Sequence, residues 1–145
     1  MLRSILICMC MQILGSAAVA SSDFSEFRGR VVYLDFWASW CGPCKQSFPW
    51  MQSLYGNYEK EGLTIVAVNL DADRGDAERF LRQFNPTFEV RFDPNGEIAE
   101  SYHIKGMPAT VLIDRHGVPR FAHVGFRPID VSEYEGQVRE LLAEK

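Results

Sequence analysis

The chain has 145 residues, 47% of them hydrophobic and 23% charged. That makeup fits one globular domain and excludes a disordered or collagen-like chain. Lys and Arg number 15 against 19 Asp and Glu, a net charge of −4, so the basic excess of a general nucleic-acid binder is missing and adhesion to anionic lipid is disfavoured.

Residues 1–20 carry an early Arg3, an apolar stretch and a small-x-small ending at Ala18 and Ala20. This is the pattern of a secretory signal peptide cleaved after Ala20, with residues 21–145 as the domain that remains. The apolar stretch falls short of the about 20 residues that span a bilayer, and Gln12 interrupts it. An uncleaved membrane tether is the alternative. Lipid attachment at Cys8 or Cys10 is disfavoured by Ile7 and Met9, which stand where a small residue is needed. Cleavage removes Cys8 and Cys10 and leaves Cys41 and Cys44. A structural bridge gains from a long loop, and this loop is minimal, so the pair reads as chemical.

Val31–Trp37 is a dense β-branched and aromatic run, the pattern of a buried strand. Cys41-Gly42-Pro43-Cys44 follows and opens a helix over residues 43–58, which Pro49 is expected to kink. Gly62 ends that unit, and residues 63–70 read as a second buried strand. A helix over 76–84 places Ala77, Phe80, Leu81 and Phe84 on one face. A short strand at 90–92 closes in the turn Asp93-Pro94-Asn95-Gly96, and one or two helical turns follow at 98–102. Ala109–Ile113 and residues 118–124 form a hairpin about the turn 114–117. A last helix starts near Ser132, with Glu135 at capping-box spacing, or at Asp130 with Glu133 as its partner. Strand–helix–strand order predicts an α/β fold: a parallel sheet with helices on both faces, extended by an antiparallel hairpin.

The cysteines lie where a strand meets a helix. A helix N-terminus carries partial positive charge and free N–H groups, which favours the thiolate of Cys41. Cys44 lies one turn deeper and keeps its proton longer. Cys41 is therefore expected to attack a partner disulfide, and Cys44 to resolve the mixed disulfide. Asp35 sits alone in the apolar strand, two residues before Trp37. Burial would push its carboxyl upward and suit it to take the Cys44 proton, through a water, as a general base. The alternative is an Asp on the exposed face of an edge strand. No metal or cofactor is expected. Zinc needs two more Cys or His ligands, and His103, His116 and His123 lack paired spacing. Haem attachment needs a His where Lys45 stands. A carrier of Cu(I) on the two soft thiolates is the alternative of another class.

Trp40-Cys41-Gly42-Pro43-Cys44-Lys45 after Asp35-Phe36-Trp37-Ala38 resembles the thioredoxin active-site segment. The continuation Lys45-Gln46-Ser47-Phe48-Pro49-Trp50-Met51 and the later Gly106-Met107-Pro108-Ala109-Thr110 narrow this. The chain resembles the TlpA/ResA-like branch of extracytoplasmic thiol:disulfide oxidoreductases. The resemblance implies a thioredoxin fold, with a central mixed sheet, helices on both faces and a C-terminal β-hairpin plus helix. It implies a cis bond before Pro108, facing the cysteines, with the Met107 backbone open to a substrate peptide. Trp40, Gly42 and Pro43 would complete the substrate-binding surface. It further implies a monomeric, periplasmic reductase of protein disulfides, fed by a membrane disulfide carrier. Gly42-Pro43 matches the dipeptide of reducing thioredoxins, whose potential is ~−270 mV against ~−120 mV for the strong periplasmic oxidant. Two departures stand out. Ser47 replaces a Glu that many members carry, and residues 63–70 lack the Lys that thioredoxins place near the buried acid. Both put a dedicated role in cytochrome c maturation in doubt, although a copper-site or cytochrome-maturation partner remains an alternative. Peroxiredoxin chemistry is disfavoured, because Leu34 and Ala38 stand where that group has Pro and Thr or Ser.

Four weaker signals read blandly. Asp71-Ala72-Asp73 reads as a solvated loop, and His123 as a satisfied surface histidine. Phe36, Phe80, Phe84 and Phe92 read as core. Phe48 and Trp50 are expected to be partly exposed near the kink.

Overall fold

The computed structural model describes residues 24–145, so the expected signal segment 1–20, with Cys8 and Cys10, lies outside the described residues. Five strands form one sheet: β1 (Val31–Trp37), β2 (Leu63–Asn69), β3 (Glu89–Phe92), β4 (Ala109–Ile113) and β5 (Pro119–Val124). Their spatial order is β3-β2-β1-β4-β5. The first three run parallel, β4 is antiparallel to β1, and β5 returns antiparallel to β4. Every residue of β1, β2 and β4 is buried, as continuous apolar runs demand of a sheet covered on both sides.

Side chains alternate across a strand, so β1 divides its residues between two cores. Val31, Tyr33 and Trp37 face α1 (Gly42–Tyr58) and α4 (Val131–Ala143), packing with Cys44, Phe48, Met51, Leu54, Val138 and Leu141. Val32, Leu34 and Phe36 face the other way, toward Phe24 and Ala99 of α3 (Glu97–Ser101). Asp35 therefore points to the face covered by α1 and α4. The helices flank both faces, as expected.

Helix α1 runs unbroken across Pro49, which has no N–H to return to the carbonyl four residues back. Phe48 is 1% exposed, which corrects its expected place on the surface. It stands one turn beyond Cys44 on the inward face, against Trp37 (4.8 Å between centroids) and Phe80 (4.9 Å). Trp50 is half-buried against Tyr33, Phe126 and Tyr134.

Helix α2 (Arg74–Phe84) begins two residues earlier than expected because Asp73 caps it, accepting from the Gly75 N–H at 2.6 Å. Helix α4 forms neither expected capping box. It starts at Val131, leaving Ser132 inside it. Asp130 accepts instead from Arg127 Nε at 2.6 Å and from the Tyr134 hydroxyl at 3.3 Å.

Candidate active site

Cys41 occupies the N-cap position of α1 in extended conformation, and the helix begins at Gly42 with Pro43 in its first turn. Cys41 and Cys44 are joined in a disulfide, with Cα atoms 5.3 Å apart. Both are buried, Cys41 at 4% exposed and Cys44 at 0%. Gly42 and Pro43 are exposed, and Trp40, just ahead of the pair, is 71% exposed. Ser47, at the position where relatives were expected to carry Glu, is buried and donates its hydroxyl to the Cys44 carbonyl at 3.1 Å.

The Met107–Pro108 bond is cis. The Pro108 carbonyl accepts from the Gly125 N–H at 2.7 Å, which ties this loop to the end of β5. Met107 is half-buried against the core cluster that contains Cys41 and Cys44. A groove lined by Pro43, Val124, Phe126, Arg127 and Tyr134 opens alongside.

Asp35 is 1% exposed, in the middle strand of the sheet, which removes the edge-strand alternative. Burial pushes its carboxyl up to about 8, while a hydrogen bond from the Thr110 hydroxyl to Oδ1 at 3.2 Å pulls the other way. Asp35 Oδ2 and Trp37 Nε1 have no hydrogen-bond partner among the described residues. Thr110 is the residue directly across from Asp35 in the β1–β4 register, and its hydroxyl lies 3.3 Å from that of Tyr33. Burial, and then the adjacent Asp35, hold the Tyr33 phenol above its usual range.

Two contributors escaped the sequence reading. Asp71 is buried, which corrects the expected solvated loop. It accepts from the Ser39 N–H and hydroxyl and from Asn69 Nδ2. Its signal was a polar pair, Asn69 and Asp71, at the end of an apolar strand lying beside β1. Thr110 carried no such signal, because only strand pairing reveals what lies opposite it. His123 is satisfied as expected, 2.6 Å from Gln137 Oε1. Among the described residues no group of three or more His, Cys, Asp or Glu is placed to hold a metal ion.

Residues 16–138 match the Redoxin family model. Over 95 residues, 66% of this chain, the sequence is 42% identical to thiol-disulfide oxidoreductase ResA of Oceanobacillus iheyensis, of which the match covers 50%. With ResA of Bacillus subtilis the identity is 33% over 95 residues, covering 66% of this chain and 53% of that protein. The chain thus spans about half the length of the curated relatives it matches. Among solved structures, a candidate thiol:disulfide interchange protein DsbE from Chlorobium tepidum superposes with a TM-score of 0.81 at 53% identity, covering 82% of this chain and 84% of that one. StoA from Bacillus subtilis gives a TM-score of 0.65 at 28% identity, covering 75% and 84%. Strand order, cysteine placement and these likenesses agree: the chain belongs to the Redoxin family, among its TlpA/ResA-like thiol:disulfide oxidoreductases.

Proposed function

We propose that this protein reduces the disulfides of partner proteins through Cys41 and Cys44. The observation that carries the reading is the disulfide between Cys41, at the N-cap of α1, and Cys44 one turn deeper, with the buried Asp35 on the sheet face that α1 covers. In the reduced protein the helix N-terminus favours the Cys41 thiolate. That thiolate attacks one sulfur of the partner disulfide, and the other partner sulfur leaves as a thiolate. Asp35, in its ionised form, takes the Cys44 proton, and the Cys44 thiolate attacks Cys41. The Cys41–Cys44 disulfide forms as the bond to the partner breaks, so two thiols are oxidised and one partner disulfide is reduced. Trp40, Gly42, Pro43, Met107 and Pro108 form the docking surface. Trp40, Gly42, Pro43 and Met107 are at least partly exposed, and Pro108 is buried.

The reaction leaves the protein oxidised, so turnover needs a thiol donor. A membrane disulfide carrier fits the expected extracytoplasmic setting, with the domain working as a monomer. Among the described residues no helix is long and apolar enough to cross a membrane.

The test is the reduction potential of the Cys41–Cys44 pair, from equilibration in thiol/disulfide buffers. A value near ~−270 mV supports a reductase, and one near ~−120 mV reverses the electron flow and overturns it. Titrating the reduced protein with Cu(I) separates the other class. Tight stoichiometric binding that survives competing chelators would make the protein a copper carrier.

A further inference from the structure

Asp35 has two carboxyl oxygens, and the structure treats them differently. Oδ1 accepts from Thr110 at 3.2 Å, while Oδ2 has no partner among the described residues. Thr110 is in turn 3.3 Å from the Tyr33 hydroxyl. All three side chains are at least nine-tenths buried, and β1 and β4 hold them in register, with Asp35 opposite Thr110 and Tyr33 two residues along on the same face.

Each hydroxyl has one hydrogen to give. If Thr110 donates to Asp35 Oδ1, Tyr33 donates to Thr110, and both hydrogens are placed. If the carboxyl proton sat on Oδ1, it would have to point at Thr110. Thr110 would then donate to Tyr33, and the Tyr33 hydrogen would be buried with no acceptor among the described residues. In the carboxylate, which has no hydrogen of its own, the first arrangement makes both hydrogen bonds, and it leaves Oδ2 as the oxygen open to an incoming proton.

We propose that Thr110, held by Tyr33, is a positioning residue that occupies Oδ1 and reserves Oδ2 as the oxygen that takes and returns the Cys44 proton. The inference rests on the reading of Asp35 as the proton acceptor of Cys44. Few other titratable groups face this site. From β1 there is Tyr33, from α1 Cys44, from α4 Tyr134, and from β5 His123, which pairs with Thr110 in register and is engaged by Gln137. From β2 the opposing residue is Ala67.

The experiment follows the reduced protein, residues 21–145 with both cysteines, as it reacts with 5,5′-dithiobis(2-nitrobenzoate). The second release of thionitrobenzoate reports the Cys44 step, read across pH 5 to 10 by stopped flow. Infrared titration of the carboxyl band absent from Asp35→Asn reads the acid directly. Thr110→Val removes a hydrogen bond that favours the carboxylate, so both midpoints should rise by about one pH unit. Thr110→Ser should restore them, and Tyr33→Phe should shift them the same way by less. Unmoved midpoints in Thr110→Val overturn the proposal, whatever happens to its melting temperature. If Thr110→Val does not fold, unmoved midpoints in Tyr33→Phe overturn it instead. Asp35→Asn should flatten the kinetic profile. If it leaves the second release and its pH dependence as in the parent protein, Asp35 is not the acceptor, and the proposal falls with that reading. A flattened Asp35→Asn profile beside an unmoved Thr110→Val profile sinks the Thr110 role alone.

Discussion

Asp71 holds Ser39 at two points, accepting from its backbone N–H at 2.9 Å and from its hydroxyl at 2.7 Å. Ser39 lies two residues before Cys41, so the clamp ties the cysteine loop to the end of β2. Asn69 locks the clamp in turn, donating to Asp71 Oδ2 and accepting from the Asp71 N–H. Asp71→Ala leaves these donors without their acceptor. Stability should fall by about 1–3 kcal/mol in denaturant unfolding. Amide exchange of residues 38–41 should quicken more than that of β4. Exchange that speeds up uniformly would show a global loss and no clamp.

Asp35 makes folding depend on pH, and the sign follows from its raised carboxyl. The group titrates at 3.8 when unperturbed and at about 8 in the fold. Between those values the unfolded chain is ionised there and the folded protein is protonated. The contribution of Asp35 to stability is therefore complete below about pH 4 and is lost progressively as pH rises to about 8. The full span amounts to at most roughly 6 kcal/mol. Asp35→Asn should gain on the parent protein from pH 4 to pH 8, read as the difference in unfolding free energy. Parallel pH curves for the two proteins would contradict a buried, elevated carboxyl.

The two cysteines should behave differently when each is removed alone. Cys44→Ser retains the outer sulfur and should accumulate a stable mixed disulfide with a partner, visible as an adduct by mass spectrometry. Cys41→Ser leaves, among the described residues, only the fully buried Cys44, and that residue should form little adduct under the same conditions. Equal labelling of both variants would remove the division of labour.

Phe48 fills the space between β1 and α2, with Trp37, Phe80, Phe84 and Phe88 around it. Phe48→Ala should cost about 3–5 kcal/mol in denaturant unfolding. A loss below about 1 kcal/mol would place the ring at the surface, where its position beside Pro49 suggested it lay.

Local patterns carried most of the architecture. The apolar run Val31–Trp37 and the cysteines directly after it placed a buried strand ahead of a helix N-terminus, and the lone Asp35 stood out because nothing near it in sequence shares its charge. What stayed hidden depends on partners distant in sequence. Thr110 is an ordinary strand residue until β4 is laid beside β1, and Asp71 looks solvated until Ser39 approaches it. Phe48 stands beside Pro49, a helix-interrupting signal, yet it lies one turn from Cys44 on the same helix face and is buried with it. At α4 the Ser132 and Glu135 spacing competed with Asp130, and tertiary contacts to Arg127 and Tyr134 decided the outcome.

Asp35 and Thr110 are 75 residues apart along the chain, yet they meet as direct neighbours in the middle of the sheet. During synthesis β1 and the cysteines emerge early, and β4 emerges only after β2, α2 and β3. Until β4 docks, one edge of β1 stays open, and its aspartate has neither its hydroxyl partner nor its full burial. A nascent or truncated chain can therefore display both thiols while the acid that governs the inner one is still unburied and unpaired. The docking of β4, and then of α4 over the same face, thus ties the chemistry of the inner cysteine to pairings made late in the chain.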